Sequence, residues 1–177
     1  MKIWITGSHS CWKTTLLNEL KKEYWNKFNY IEEIAREVIK DLWKPQDMEW
    51  VDRWIFQYII MMKQIIKEME LDNFISDRTV FDALVYSINN SGSFYEKIEN
   101  KFQEHIKNKV YDIIFYVPIE FDLVDDWIRF EDKEYREFID KEILKQLKKY
   151  NIDYITITWS IEDRVEQVKK HIKSLDR

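Results

Sequence analysis

The chain has 177 residues, a formal charge of −5 and an apolar fraction of 45%, enough for one full core and a single domain over 1–177. An acidic balance argues against a sequence-independent nucleic-acid platform, and no sequence-specific nucleic-acid partner is expected. Cys11 is the only cysteine, which excludes an intramolecular disulfide, and no apolar run is long enough to span a membrane.

The first predicted element is a strand, Lys2-Ile3-Trp4-Ile5-Thr6. It begins almost at Met1, which leaves no room for a cleavable leader, so a cytoplasmic location is expected. The strand runs into Gly7-Ser8-His9-Ser10-Cys11-Trp12-Lys13-Thr14-Thr15, and a helical pattern follows on Leu16, Leu17, Leu20 and Tyr24. This is the layout of the phosphate-binding loop G-x-x-x-x-G-K-[ST], with one departure: Trp12 stands where the second glycine belongs. Such a loop wraps a nucleoside triphosphate in backbone N–H groups and adds the dipole of the helix behind it. A nucleoside triphosphate is therefore the expected ligand, contacted by residues 7–15. Lys13 would reach the β- and γ-phosphate oxygens, Thr14 would hold Mg2+, and His9 could touch phosphate.

Trp12 is not an isolated oddity. The chain has 2 glycines and 8 tryptophans, where average usage predicts about twelve glycines. Several tryptophans stand where glycine is natural. Trp25 follows the first helix, Trp43 precedes Lys44-Pro45 at a helix stop, and Trp159 lies between a strand and the helix cap Ser160. Trp127 sits in the polar turn Asp125-Asp126-Trp127-Ile128-Arg129. The expectation is that some or all of these five are UGA codons that the source cell reads as glycine. The alternative is an aromatic-rich protein with a degraded loop.

Further strands are expected at Asn29–Glu32, Asn73–Ser76, Asp112–Val117 and Tyr154–Thr158. Val51, Trp54, Ile55, Tyr58, Ile59, Met62, Ile66 and Met69 mark one face of a long helix. Ile161, Val165, Val168, Ile172 and Leu175 mark another, with Ser160 and Asp163 as its capping box. The alternation predicts an α/β fold: a five-stranded, mainly parallel sheet with helices on both faces.

Ligands in such sheets collect at the carboxyl ends of the strands. Glu32, Glu33 and Arg36 follow the second strand; either glutamate could accept a proton, or the two could be a solvated pair. Arg36 is placed to touch the acceptor. Asp77 ends the third strand and is expected to support Mg2+ with Thr14, in preference to capping the next helix. Arg78 beside it could hold a substrate phosphate or carboxylate. Arg129 and Arg136 are seven apart, so a helix would put both on one face, as a small lid over the phosphates. Gln57, on the apolar side of the long helix, could read a base edge or fill a core contact. His105 and His171 sit on charged helices as expected surface residues.

These residues resemble the phosphate-loop kinases of small nucleosides and nucleotides, above all the nicotinamide-riboside-kinase-like (NadR-type) AAA ATPase domain. The resemblance rests on Gly7–Thr15, Glu32–Glu37, Ile75-Ser76-Asp77-Arg78, Val124–Arg129, Tyr154–Thr158 and the helix with Arg164. In that group glycine occupies the places of Trp12 and Trp127. Asp77-Arg78 is also similar to the Asp-Arg pair of thymidylate and deoxynucleoside kinases. The resemblance implies a three-layer P-loop NTPase fold and a phosphotransferase that uses ATP and Mg2+. Lys13, Asp77, Arg129 and Arg136 would be its catalytic groups. The implied acceptor is nicotinamide riboside, a deoxynucleoside or a nucleoside monophosphate; a homodimer stays open. The rival reading is a nucleotide-sensing ATPase that phosphorylates no metabolite. No Asn-Lys-x-Asp guanine-reading motif is found.

Overall fold

The computed structural model describes residues 1–42, 53–88, 94–107, 110–121 and 133–175. Trp43, Trp127, Arg129 and the expected hinge lie outside them, so of the expected lid pair only Arg136 is described. The elements are β1 (Lys2–Thr6), α1 (Lys13–Glu23), β2 (Asn29–Ile31), α2 (Ile34–Leu42), α3 (Arg53–Glu70) and β3 (Phe74–Asp77). They continue as α4 (Val80–Ser87), α5 (Tyr95–Ile106), β4 (Ile113–Tyr116), α6 (Lys133–Lys149), β5 (Ile155–Thr156) and α7 (Ile161–Leu175). Each expected strand forms, although β5 keeps only two of its five predicted residues. The strand order is β2-β3-β1-β4-β5, and every described pairing is parallel.

The alternation of side chains along β1 explains the layers. Ile3 and Ile5 enter one core with Leu16, Leu17 and Leu20 of α1 and Val168 and Ile172 of α7. Trp4 points to the other face, with Met61 of α3, Phe81 and Leu84 of α4, and Ile139 and Ile143 of α6. Neither face of the central strand is left to water, and each such buried side chain contributes about 1.5–3 kcal/mol. Trp4 is a true core tryptophan: it is 1% exposed, and its indole N–H donates to Asp82 Oδ2 at 3.1 Å.

Local chemistry fixes the helix starts. Thr79 caps α4, and its capping box with Asp82 is complete. The cap is thus Thr79, which leaves Asp77 available for other work. Ser160 and Asp163 bond reciprocally at the start of α7, as the spacing predicts.

Gly7 cannot be exchanged for a larger residue. A Cβ there would stand 2.4 Å from the Val117 carbonyl oxygen. Gly7→Ala is expected to destabilise the fold by about 1–3 kcal/mol, read as a lower midpoint in urea unfolding. An unchanged midpoint would show that β1 and the Val117 strand end separate easily.

Among the described residues, Ser10, Trp12, Arg78, Asn151 and Trp159 have φ between 52° and 76°. That region costs an L-residue roughly 1–2 kcal/mol, and asparagine is the one type here that visits it routinely.

Candidate functional site

The loop from β1 to α1 opens at the carboxyl end of the central strand, and the parallel register brings the end of β3 beside it: Ile5 pairs with Asp77. A cavity of about 330 Å³ lies there, lined by Ser10, Cys11, Trp12, Lys13, Thr14, Thr15, Glu33, Arg36, Asp77 and Arg78. Three sequence regions that are far apart in the chain therefore meet in one recess.

Lys13 is buried, and its ammonium donates to the Ser8 carbonyl. Burial pushes its pKa down, Arg78 adds to the push, and Asp77 opposes it. The Thr14 hydroxyl donates to Asp77 Oδ2 at 2.5 Å. Asp77 Oδ1 is buried with no hydrogen-bond partner. Burial drives the Asp77 pKa up, against the pull of Lys13. A hydroxyl and a carboxylate side by side, one oxygen bare, fit a hard cation such as Mg2+, which takes few protein ligands and relies on phosphate oxygens for others. Among the described residues no group of three or more His, Cys, Asp or Glu could form an all-protein metal cage.

Across the recess, Glu33 holds two guanidinium groups. Its Oε1 accepts from Arg78 Nε at 2.9 Å and its Oε2 from Arg36 Nε at 3.0 Å. Arg78 also lies 3.7 Å from Asp82 and over the Tyr86 ring at 4.8 Å. Of the two glutamates left open by the sequence, Glu33 belongs to the cavity; Glu32 is exposed and pairs with Lys21 at 3.3 Å. Gln57, half-buried on α3, is not among the cavity walls. His9 is buried, 3.5 Å from the Tyr86 hydroxyl.

Arg136, expected over the phosphates, is 3% exposed and packs against the loop instead. It donates to the carbonyls of His9 at 3.2 Å, Ser10 at 2.9 Å and Phe121 at 2.9 Å. Arg164, fully buried on α7, donates to the Cys11 carbonyl at 3.0 Å and to Glu120 at 2.6 Å. In a trans peptide the carbonyl and the following N–H point opposite ways. Pinning the carbonyls of residues 9–11 therefore turns the N–H groups of Ser10, Cys11 and Trp12 away from both arginines. Two buried guanidinium groups thus fix the direction of three successive loop carbonyls. Sequence reading did not single out Arg164 or Glu120 as site residues. Each lies far from the loop in the chain, and a buried arginine carries no periodic signal.

Removing the Arg164 charge takes the guanidinium from the Cys11 carbonyl and leaves Glu120 with the Trp159 N–H. Arg164→Met is expected to cost about 2 kcal/mol and to weaken triphosphate binding beyond that loss. Calorimetry at a temperature where the variant is folded would check this. Unchanged binding would show that the loop holds its shape alone.

His105 and His171 do not stand free at the surface as expected. His105 Nε2 lies 2.7 Å from Glu68 Oε2, and His171 packs on Phe115 at 5.9 Å. No helix among the described residues is long and apolar enough to cross a membrane.

The AAA domain model matches residues 2–164. Among solved structures, the deoxyadenosine kinase from M. mycoides with products dCMP and a flexible dCDP is 19% identical, with a TM-score of 0.66 over 99% of this chain and 100% of that one. The NadR protein in complex with NR is 21% identical, with a TM-score of 0.69 over 89% of this chain and 45% of the longer protein. The YorR protein from Bacillus subtilis in complex with phosphorylated GDP is 18% identical, with a TM-score of 0.59 over 98% of this chain and 96% of that one. At these identities the likeness is one of fold. No curated protein sequence matches the chain.

Proposed function

The chain belongs to the AAA domain family, and from that premise we propose that it is a kinase that transfers the γ-phosphoryl group of ATP to a small nucleoside-like or nucleotide acceptor. The observation that carries the reading is the contact between Thr14 and Asp77, beside buried Lys13 and across from arginines held by Glu33. A triphosphate needs the first group of residues. A second anionic or hydroxylated molecule gives the facing arginines a purpose.

Bound at Thr14 and Asp77, Mg2+ would supply charge neutralisation for the phosphate oxygens. The chain's own residues do the rest. Lys13 contacts the transferring phosphate and offsets its growing charge. The loop amides, turned by Arg136 and Arg164, hold the chain of phosphates in line. Arg78 and Arg36 position the acceptor, and Glu33 keeps both guanidinium groups in place. Arg136 is a positioning residue in this scheme. Arg129 remains the group proposed to close over the transfer.

The similar structures hold dCMP and dCDP, NR, and phosphorylated GDP. Those molecules, with nucleoside monophosphates, make up the acceptor panel. The test is a product assay by mass spectrometry with Mg-ATP and each acceptor. A phosphorylated acceptor from any member supports the kinase. ATP binding with slow hydrolysis and no phosphorylated acceptor would replace it with the sensor reading. We also propose a cytoplasmic setting, where ATP and small nucleosides are both at hand.

Glu33→Gln removes the charge that both arginines share. It is expected to raise the acceptor KM about tenfold, roughly the 1.4 kcal/mol of one lost charge-assisted contact, and to leave the ATP KM near its original value. Equal changes in both constants would assign Glu33 to the ATP side.

A further inference from the structure

Trp12 and Trp159 share a backbone conformation that tryptophan rarely takes: φ is 66° at Trp12 and 76° at Trp159. Neither indole is buried in the core in exchange, for Trp12 is 40% exposed and Trp159 is 70% exposed. Both stand on turns that border one place. The Trp12 ring lies 5.1 Å from Phe121, and the Trp159 N–H donates to Glu120 at 2.9 Å. Trp12 also walls the cavity that the phosphates would enter. A left-handed turn and a close approach of backbone to ligand each ask for a residue without a Cβ.

Trp4 is the internal control, with an extended backbone, full burial and an indole hydrogen bond. Trp25 stands between these cases. It directly follows the α1 C-cap Tyr24 and is 75% exposed, yet it is not among the left-handed residues. The split between a core tryptophan and strained, solvent-facing ones runs alongside a total of 2 glycines.

We propose that the protein made in its own cell carries glycine at positions 12 and 159, inserted at UGA codons which that cell reads as glycine. The same assignment extends to Trp25 by exposure, and to Trp43 and Trp127 by their place in the sequence. Trp4 stays tryptophan. The loop is then Gly7-Ser8-His9-Ser10-Cys11-Gly-Lys13-Thr14, a complete phosphate-binding motif. This inference concerns the identity of the residues and stands whether or not the kinase reading holds.

The test is the gene together with the native protein. Expected are UGA at codons 12 and 159, UGG at codon 4, and peptides from the source cells whose masses carry glycine at 12 and 159. UGG at codon 12 or 159, or a native peptide with tryptophan there, overturns the proposal. Neither readout depends on activity.

A second, independent observation concerns Arg78, whose φ is 75°. Its carbonyl accepts from the Ser76 hydroxyl, whose oxygen accepts in turn from Gln64 Nε2 at 3.0 Å; the same Nε2 lies 3.4 Å from the Arg78 carbonyl. Gln64 is buried and also donates to Glu68 Oε1 at 2.7 Å, while His105 and the Tyr111 hydroxyl meet Glu68 Oε2 at 2.7 Å each. The geometry points to Gln64 as a positioning residue that acts through Ser76: its amide fixes the Ser76 hydroxyl, which holds the Arg78 peptide in its left-handed turn so that the guanidinium meets Glu33. The expected use, orienting the acceptor, rests on the kinase reading; the structural claim does not.

Gln64→Leu, with Ser76→Ala as the milder variant, tests it through a crystal structure and a KM pair. Expected are a shifted Arg78 turn with Nε withdrawn from Glu33, and a several-fold rise in acceptor KM with the ATP KM held. An unmoved Arg78 turn in both variants overturns the positioning role. A moved turn with no acceptor turnover even in the parent protein confirms the positioning and sinks the kinase reading instead.

Discussion

Lys13→Met is expected to lower ATP-dependent phosphoryl transfer on the order of 10³-fold, the scale for removing one preorganised donor from a transition state. The argument starts from burial. Lys13 is 5% exposed, and its pKa is pushed down by that burial and by Arg78. A cation kept in that setting has its solvation replaced by the Ser8 carbonyl and the nearby Asp77 charge. Triphosphate oxygens would complete the exchange. The structural cost of the substitution is smaller, about 1.5–3 kcal/mol for the lost charge-assisted bond to Ser8, so the variant should fold. Circular dichroism would verify the fold while the product assay reads the chemistry. Activity within tenfold of the parent would remove Lys13 from the reaction and the phosphate-loop reading with it.

Trp12→Gly is expected to create clear stabilisation by Mg-ATP where the tryptophan form shows little. A ligand present at a hundred times its Kd adds about 2.7 kcal/mol of stability, which raises Tm by several degrees in a domain of this size. The unliganded proteins should differ much less. Glycine relieves roughly 1–2 kcal/mol of left-handed strain, but it also gives the unfolded chain more freedom. The indole's effect is thus on access: it lines the cavity and lies 5.1 Å from Phe121. Equal Mg-ATP gains in both forms would show that the loop accommodates an indole.

Much of the site was legible because short-range rules govern it. Gly7, Lys13 and Thr14 sit at fixed spacings after an apolar strand, and that spacing is set by the loop's own backbone geometry. Asp77 was legible as a carboxylate ending a buried strand, and the capping box at Ser160 and Asp163 as a local hydrogen-bond pattern. The choice between Glu32 and Glu33 was not legible. The two are adjacent, and only packing decides that Glu33 faces Arg78 while Glu32 meets solvent and Lys21. Nor was the work of Arg136, since a guanidinium on a helix can reach either a ligand or a carbonyl, and here it reaches His9 and Ser10.

The sequence by itself determined the α/β alternation, the strand that feeds the loop, and the tryptophan at position 12 where the loop pattern has glycine, because each is written in neighbouring residues. Only the tertiary structure decided that β3 lies beside β1, which brings Asp77 to Thr14 across a separation of 63 residues. It alone decided that α6 and α7 send Arg136 and Arg164 to the loop's carbonyls. The reason is physical. Strand order and the reach of buried cations are set by how apolar faces share one core, and no local run of residues records that outcome.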